Sequence, residues 1–215
     1  VDNGVVTLYA VWEETWANYA VAPSGQGTQS NPYLISSAGN LAWMVNQTEN
    51  GTSLSGYFVQ TAHINLSGKK WLPIGNSTYR FIGNYDGQGY AITNLNTSDI
   101  KDYYGNYLND YVGLFGYVNS AELQNINILS GNVLGYEYVG GIVGRANYST
   151  IQCCQSYVSI SANNRAGGIV GTIINSTIYG CYAKSSSISI NTEGAVGGIV
   201  GNVASKSYII SCGFE

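Results

Sequence analysis

One short motif returns four times in the second half of this chain: Gly113-Leu114-Phe115-Gly116, Gly141-Ile142-Val143-Gly144, Gly168-Ile169-Val170-Gly171 and Gly198-Ile199-Val200-Gly201, at intervals of 28, 27 and 30 residues. Periods of that length belong to solenoids, propellers or arrays. Each copy is followed by an aliphatic-x-x-apolar segment, at Leu123 to Ile126, Ile151 to Cys154, Ile178 to Cys181 and Ile209 to Cys212, with Ile92 to Leu95 as an earlier, degenerate member. Before the next Gly copy come β-branched alternations such as Val158-Ser159-Ile160-Ser161 and Ile188-Ser189-Ile190-Asn191. Each period therefore reads as three short strands.

No stretch inside the repeats sustains a helical i, i+3, i+4, i+7 stripe, which removes helical solenoids. A propeller blade needs four antiparallel strands and more residues than these periods hold. A coil of short strands stacked in parallel fits both length and alternation, so the chain is expected to be all-β, a parallel solenoid of five to six turns. In such a coil equivalent residues lie one above another about 4.8 Å apart. Leu114, Ile142, Ile169 and Ile199 are expected to form one internal ladder. Gly140, Gly167 and Gly197 are assigned to a corner that needs positive φ or close approach of neighbouring turns. Upstream, Ser37 is a plausible N-cap for a helix over 38–47, with Leu41, Met44 and Val45 at helical spacing and Asn50-Gly51 as its stop. That helix would cover the open end of the coil, with Trp43 and Met44 packing beneath it.

Composition supports the all-β reading: 28 Gly and 19 Tyr with only 9% charged residues is not the make-up of a disordered chain or a helical bundle. A net charge of −4 with eight scattered Lys and Arg gives no footprint for nucleic acid. No apolar run approaches the roughly 20 residues needed to enter a bilayer as a helix. The chain begins at Val1 without Met and is read as part of a larger multidomain protein.

The Gly-Leu-Phe-Gly and Gly-Ile-Val-Gly copies, with the aliphatic-x-x-Cys segments after them, resemble the GLUG motif repeats of bacterial surface proteins. Asn31-Pro32-Tyr33-Leu34-Ile35, Trp71-Leu72-Pro73-Ile74-Gly75 and the run from Phe81-Ile82-Gly83 through Asp86-Gly87-Gln88-Gly89 to Ile92-Thr93-Asn94-Leu95 extend the likeness to the opening of such domains. Separately, Val6-Thr7-Leu8-Tyr9-Ala10-Val11-Trp12 is similar to the last strand of an internalin-type B repeat. The resemblance implies residues 1–14 as the remnant of a preceding surface module, 15–24 as a linker and 25–215 as a right-handed parallel β-helix. It also implies a secreted or bacterial cell-surface location and an adhesin-like role, and it carries over no catalytic residue.

Candidate chemistry is sparse. Cys154, Cys181 and Cys212 share one repeat position with Leu95 and Ile126, which predicts an inward thiol ladder, while Cys153 points the other way. A disulfide between stacked turns and a metal site are the alternatives; His63 lies too far along the chain to join the cysteines as a ligand. Carboxylates within the repeats, Glu122, Glu137 and Glu193, are isolated, and Asp86 is expected to cap an Asp-Gly bend. No acid and base pair, metal or cofactor is assigned. The most function-like stretch is the insertion 97–111, placed between repeat units, in which Asp102, Tyr103, Tyr104, Asn106, Tyr107 and Tyr111 supply flat amphipathic rings and adaptable polar groups. They form the candidate contact for a host-surface protein or a polysaccharide. A solvated excursion, a structural spacer and a polysaccharide-degrading β-helix with Glu122 or Glu137 at its centre remain the alternatives.

Overall fold

A computed structural model of the chain describes residues 14–97, 110–185, 187–191 and 193–215. Its strands form five sheets, and every pair of neighbouring strands in them is parallel and joins one coil to the next. The longest sheet stacks Tyr33–Ile35, Tyr57–Gln60, Asn84–Asp86, Glu122–Gln124, Thr150–Gln152, Thr177–Tyr179 and Tyr208–Ile210. A second stacks six two- or three-residue strands, from Ile64–Asn65 to Gly213–Phe214. The chain is therefore a parallel β-solenoid of about six turns.

Each full coil carries five short strands where the sequence suggested three. The reason lies in the two repeated segments, each of which bends in its middle and so serves two sheets. Ile151 and Gln152 belong to one strand and Gln155 to the next, with Cys153 between them at φ 53°. Asn125, Gly180 and Ser211 hold the same left-handed corner at φ 54°, 59° and 53°. A second left-handed corner runs through Ser120, Tyr148, Asn175 and Ser205. There the hydroxyls of Ser149, Ser176 and Ser207 each accept a backbone N–H of the preceding coil, at 3.1, 3.1 and 3.2 Å, so the ladder of hydrogen bonds continues through the bend.

The interior is a set of ladders. Leu114, Ile142 and Ile169 are fully buried and Ile199 packs against them at the C-terminal end, as expected. Phe58, Tyr85, Leu123, Ile151 and Ile178 form another, each at most 1% exposed. Cys154 and Cys181 sit at 0% and 1% exposure in a third, with Cys212 next in line and Cys153 outside. All four cysteines are free thiols. Leu95 does not belong to that ladder. It pairs with Gly131, while Ile92 pairs with Ile128, because the Asp86-Gly87-Gln88-Gly89 turn makes Tyr85 to Ile92 two residues longer than Leu123 to Ile128.

The helix spans Ala38–Glu49, two residues beyond the expected end, with the Ser37 hydroxyl accepting the Asn40 N–H at 3.2 Å. Asn40 reciprocates, its side-chain oxygen accepting from Ser36 N at 3.1 Å and from the Ser37 hydroxyl at 3.0 Å. Leu41, Met44 and Val45 are buried over the first coil, and Trp43 packs on Tyr33. Residues 14–24 are tied to both the cap and the coils: Val21 N donates to Gly39 O at 2.9 Å in the helix, while Trp16 Nε1 donates to Leu66 O at 2.9 Å and Leu34 N to Ser24 O at 2.8 Å. Residues 1–13, including the stretch similar to a B repeat, lie outside the described residues.

Candidate functional site

The glycine repeat shapes a groove. Gly140, Gly167 and Gly197 are not in the left-handed region; their role is close approach, since a Cβ there would lie 2.2, 2.1 and 2.0 Å from the carbonyl oxygens of Val143, Val170 and Val200. The second glycine of each motif does the same on the far side of the bend. A Cβ on Gly144 would meet Val112 N at 2.5 Å and Tyr138 O at 2.7 Å, and one on Gly171 would meet Val139 N at 2.6 Å. Without side chains at these points, the strand after the corner is drawn against the backbone of the strand before it. Outward side chains on the two strands, which would otherwise diverge, meet across the corner.

Two columns line this groove along the solenoid axis. Tyr111, Tyr138, Arg165 and Ala195 are in register on one side. Tyr117, Arg145, Thr172 and Asn202 are in register on the other, with Arg80 standing one coil ahead of Tyr117 because Phe81 bridges to Val118. Tyr111 stacks on Tyr138 with ring centroids 5.1 Å apart and planes 9° from parallel, and on Tyr117 at 5.3 Å and 27°. Guanidinium groups interleave with the rings: Arg80 and Arg145 lie 4.8 and 5.1 Å from the Tyr117 centroid, and Arg145 and Arg165 lie 5.5 and 5.1 Å from that of Tyr138. These are the three arginines of the whole sequence. Glu137 pairs with Arg165. Burial and a hydrogen bond to Glu137 push the Tyr138 phenol above its ordinary value. Asn147 Nδ2 donates to the Tyr117 hydroxyl at 2.6 Å.

Of the residues proposed as the contact, Tyr111 is built into this stack. Asp102, Tyr103, Tyr104, Asn106 and Tyr107 lie outside the described residues. The insertion falls inside a coil rather than between repeat units. It starts after Thr97, whose hydroxyl donates to Leu134 O at 3.1 Å and accepts Leu134 N at 2.8 Å, and it returns at Asp110, whose carbonyl accepts Tyr138 N at 2.6 Å. In the following coil the same gap is closed by Gly135, Tyr136 and Glu137 alone.

The isolated carboxylates are tied into the surface. Asp86 accepts from Gln88 N at 2.9 Å, capping its bend as expected, and from the amides of Gln88, Gln124 and Asn125 at 2.6, 2.9 and 2.9 Å. Glu122 accepts from Gln152 at 3.2 Å. Both line a cleft of about 240 Å3 on the longest sheet, beside Tyr57 and Asn84. His63 accepts the Ala91 N–H at 2.9 Å and meets Tyr90 edge-on. Among the described residues no three His, Cys, Asp or Glu side chains gather at one point, and no helix is long and apolar enough to cross a membrane.

No family model matches the chain. It is similar to a protein of Evansella cellulosilytica named "Putative Gly-rich membrane protein", with 32% identity over 157 residues that make up 68% of this chain and 17% of that protein. It is also similar to halomucin of Haloquadratum walsbyi, with 30% identity over 184 residues, 80% of this chain and 2% of halomucin. The chain thus spans a small fraction of the length of either relative. A solved structure from Bacteroides ovatus, described as a "putative immunoglobulin A1 protease", shares 18% identity and a TM-score of 0.47 over 87% of this chain and 79% of its own.

Proposed function

We propose that this solenoid is a non-catalytic, adhesin-like segment of a bacterial cell-surface or secreted protein, presenting the groove and the adjoining insertion to a host-surface protein or a polysaccharide. The observation that carries the reading is Tyr111: the insertion returns to the coil directly into a stack of aromatic and guanidinium groups, so its base is rigid and its neighbours are the chemistry of recognition. The relatives' names, one of a membrane protein and one of a mucin-like word, agree with an exterior location. An array of glycans and host proteins tests the reading, repeated with Tyr103→Ala, Tyr107→Ala and Tyr111→Ala. Lost binding in these variants supports it, and unchanged binding in all three removes the insertion from the contact.

A second reading, a spacer that holds other domains away from the cell, is favoured by the small share of each relative that the chain matches. It predicts that nothing on such an array is retained.

A further inference from the structure

We infer that the groove binds an anionic polysaccharide, with Arg145 as its central contact; the inference deepens the binding reading above and rests on it. In a chain of net charge −4, all three arginines converge on one groove. Arg165 is neutralised by Glu137. Arg80 and Arg145 have no carboxylate partner among the described residues: Arg80 donates to Ser77 O at 3.2 Å, and Arg145 Nε reaches Asn147 Oδ1 at 3.4 Å.

The ring faces of Tyr117 and Tyr138 are taken up by guanidinium planes and by Tyr111, so the groove offers no open platform for a neutral sugar. What it offers is the in-plane N–H edge of guanidinium groups, which matches a carboxylate or sulfate. Two further polar atoms in the same column are buried without a partner among the described residues: Arg80 Nε ahead of Tyr117, and the hydroxyl of Thr172, 2% exposed and in register with Arg145 one coil on. Buried groups of this kind are costly unless something satisfies them. Arg80 and Arg145 are two coils apart, about 10 Å along the axis at the strand spacing of a sheet. Cations repeated along an axial groove suit an extended polyanion rather than a single small ion.

Calorimetric titration of the full chain with oligogalacturonate, dextran sulfate, neutral dextran and a single-stranded DNA tests this. Binding of one of the two acidic glycans is expected, which of them binds assigning the anion as carboxylate or sulfate. It should weaken about tenfold in Arg145→Gln and between low salt and about 0.5 M salt, with partial retention in Arg145→Lys. Thr172→Val, which removes the orphan hydroxyl at nearly constant volume, should stay folded and weaken binding about threefold. Acidic glycan binding unchanged in both Arg145→Gln and Thr172→Val overturns the inference, as does tighter binding of the DNA. Retention of neutral dextran or a host protein, lost in Tyr103→Ala but not in Arg145→Gln, overturns the inference while leaving the scaffold reading intact. Silence toward every probe on the array and in the titration overturns both.

Discussion

The rings of Tyr111 and Tyr138 lie 5.1 Å apart and 9° from parallel, held in register by consecutive coils of one sheet. Such a pair contributes about 0.5–1.5 kcal/mol beyond the area it buries. A double-mutant cycle of Tyr111→Ala and Tyr138→Ala, read by urea denaturation, should return a coupling energy in that range. A coupling near zero would mean that the stack does not anchor the insertion to the solenoid.

Groove depth depends on the second glycine of each motif. In Gly171→Ala the new Cβ would lie 2.6 Å from both Gly144 O and Val139 N, backbone atoms that cannot swing aside. The expected loss of stability is about 2–3 kcal/mol, as for overpacked cores. Gly68→Ala is the control: φ is +84° and nothing lies within 4 Å, so only the backbone strain of about 1 kcal/mol applies. Equal losses in the two variants would refute the close-approach account of the motif.

Much of this architecture is legible in the sequence, because a solenoid repeats its interior. Ile142 and Ile169, Cys154 and Cys181, and the Ser37 cap with its helix can all be placed by spacing and apolarity. The groove is not legible in the same way. Arg145 follows a glycine copy, Arg165 precedes one and Arg80 lies ahead of them all, so no single offset aligns the three. They meet only because the corner folds inward, and that depends on backbone contact at Gly144 and Gly171 rather than on any pattern of side chains. Writing the residue after each motif as a column, Tyr117, Arg145, Thr172, Asn202, is the signal that exposes half of the site. The extra residues of the Asp86-Gly87 turn hide the true place of Ile92 for a related reason, since an insertion at a corner shifts the linear period without disturbing the stack.

The cysteine ladder gives a reactivity order. Cys153 is exposed at its corner, Cys212 is half-buried, and Cys154 and Cys181 are enclosed; burial pushes the Cys154 thiol well up, while the hydrogen bond with Cys154 lowers Cys181, whose 1% exposure nevertheless keeps reagent out. Since the thiolate is the reactive form, a disulfide reagent at about pH 8 should modify Cys153 of the native protein quickly, Cys212 slowly and the other two only on unfolding. Peptide mapping by mass spectrometry identifies the sites. Early labelling of Cys154 would contradict the inward ladder.

Two phenols add to the loss of stability at alkaline pH. Burial pushes Tyr85 far above its ordinary value, where its hydroxyl also donates to Gln60 Oε1 at 3.1 Å, and burial and the hydrogen bond to Glu137 raise Tyr138. For a group whose folded value is raised, the folded state keeps its proton after the unfolded chain has released it. The stabilisation these phenols provide is therefore complete below about pH 10, the ordinary tyrosine value, and is lost progressively as pH rises from there through the folded values. Denaturation midpoints should fall gently from about pH 8.5, where the thiols of Cys154 and Cys212 ionise in the unfolded chain but are held protonated in the folded one, and more steeply above about 10 as the phenols join them. In Tyr85→Phe that alkaline fall should be shallower, although the variant starts from lower stability because Gln60 loses its donor in the core. A slope above pH 10 equal to that of the parent protein would show that Tyr85 ionises as freely when folded as when unfolded, and would place its ring outside the interior.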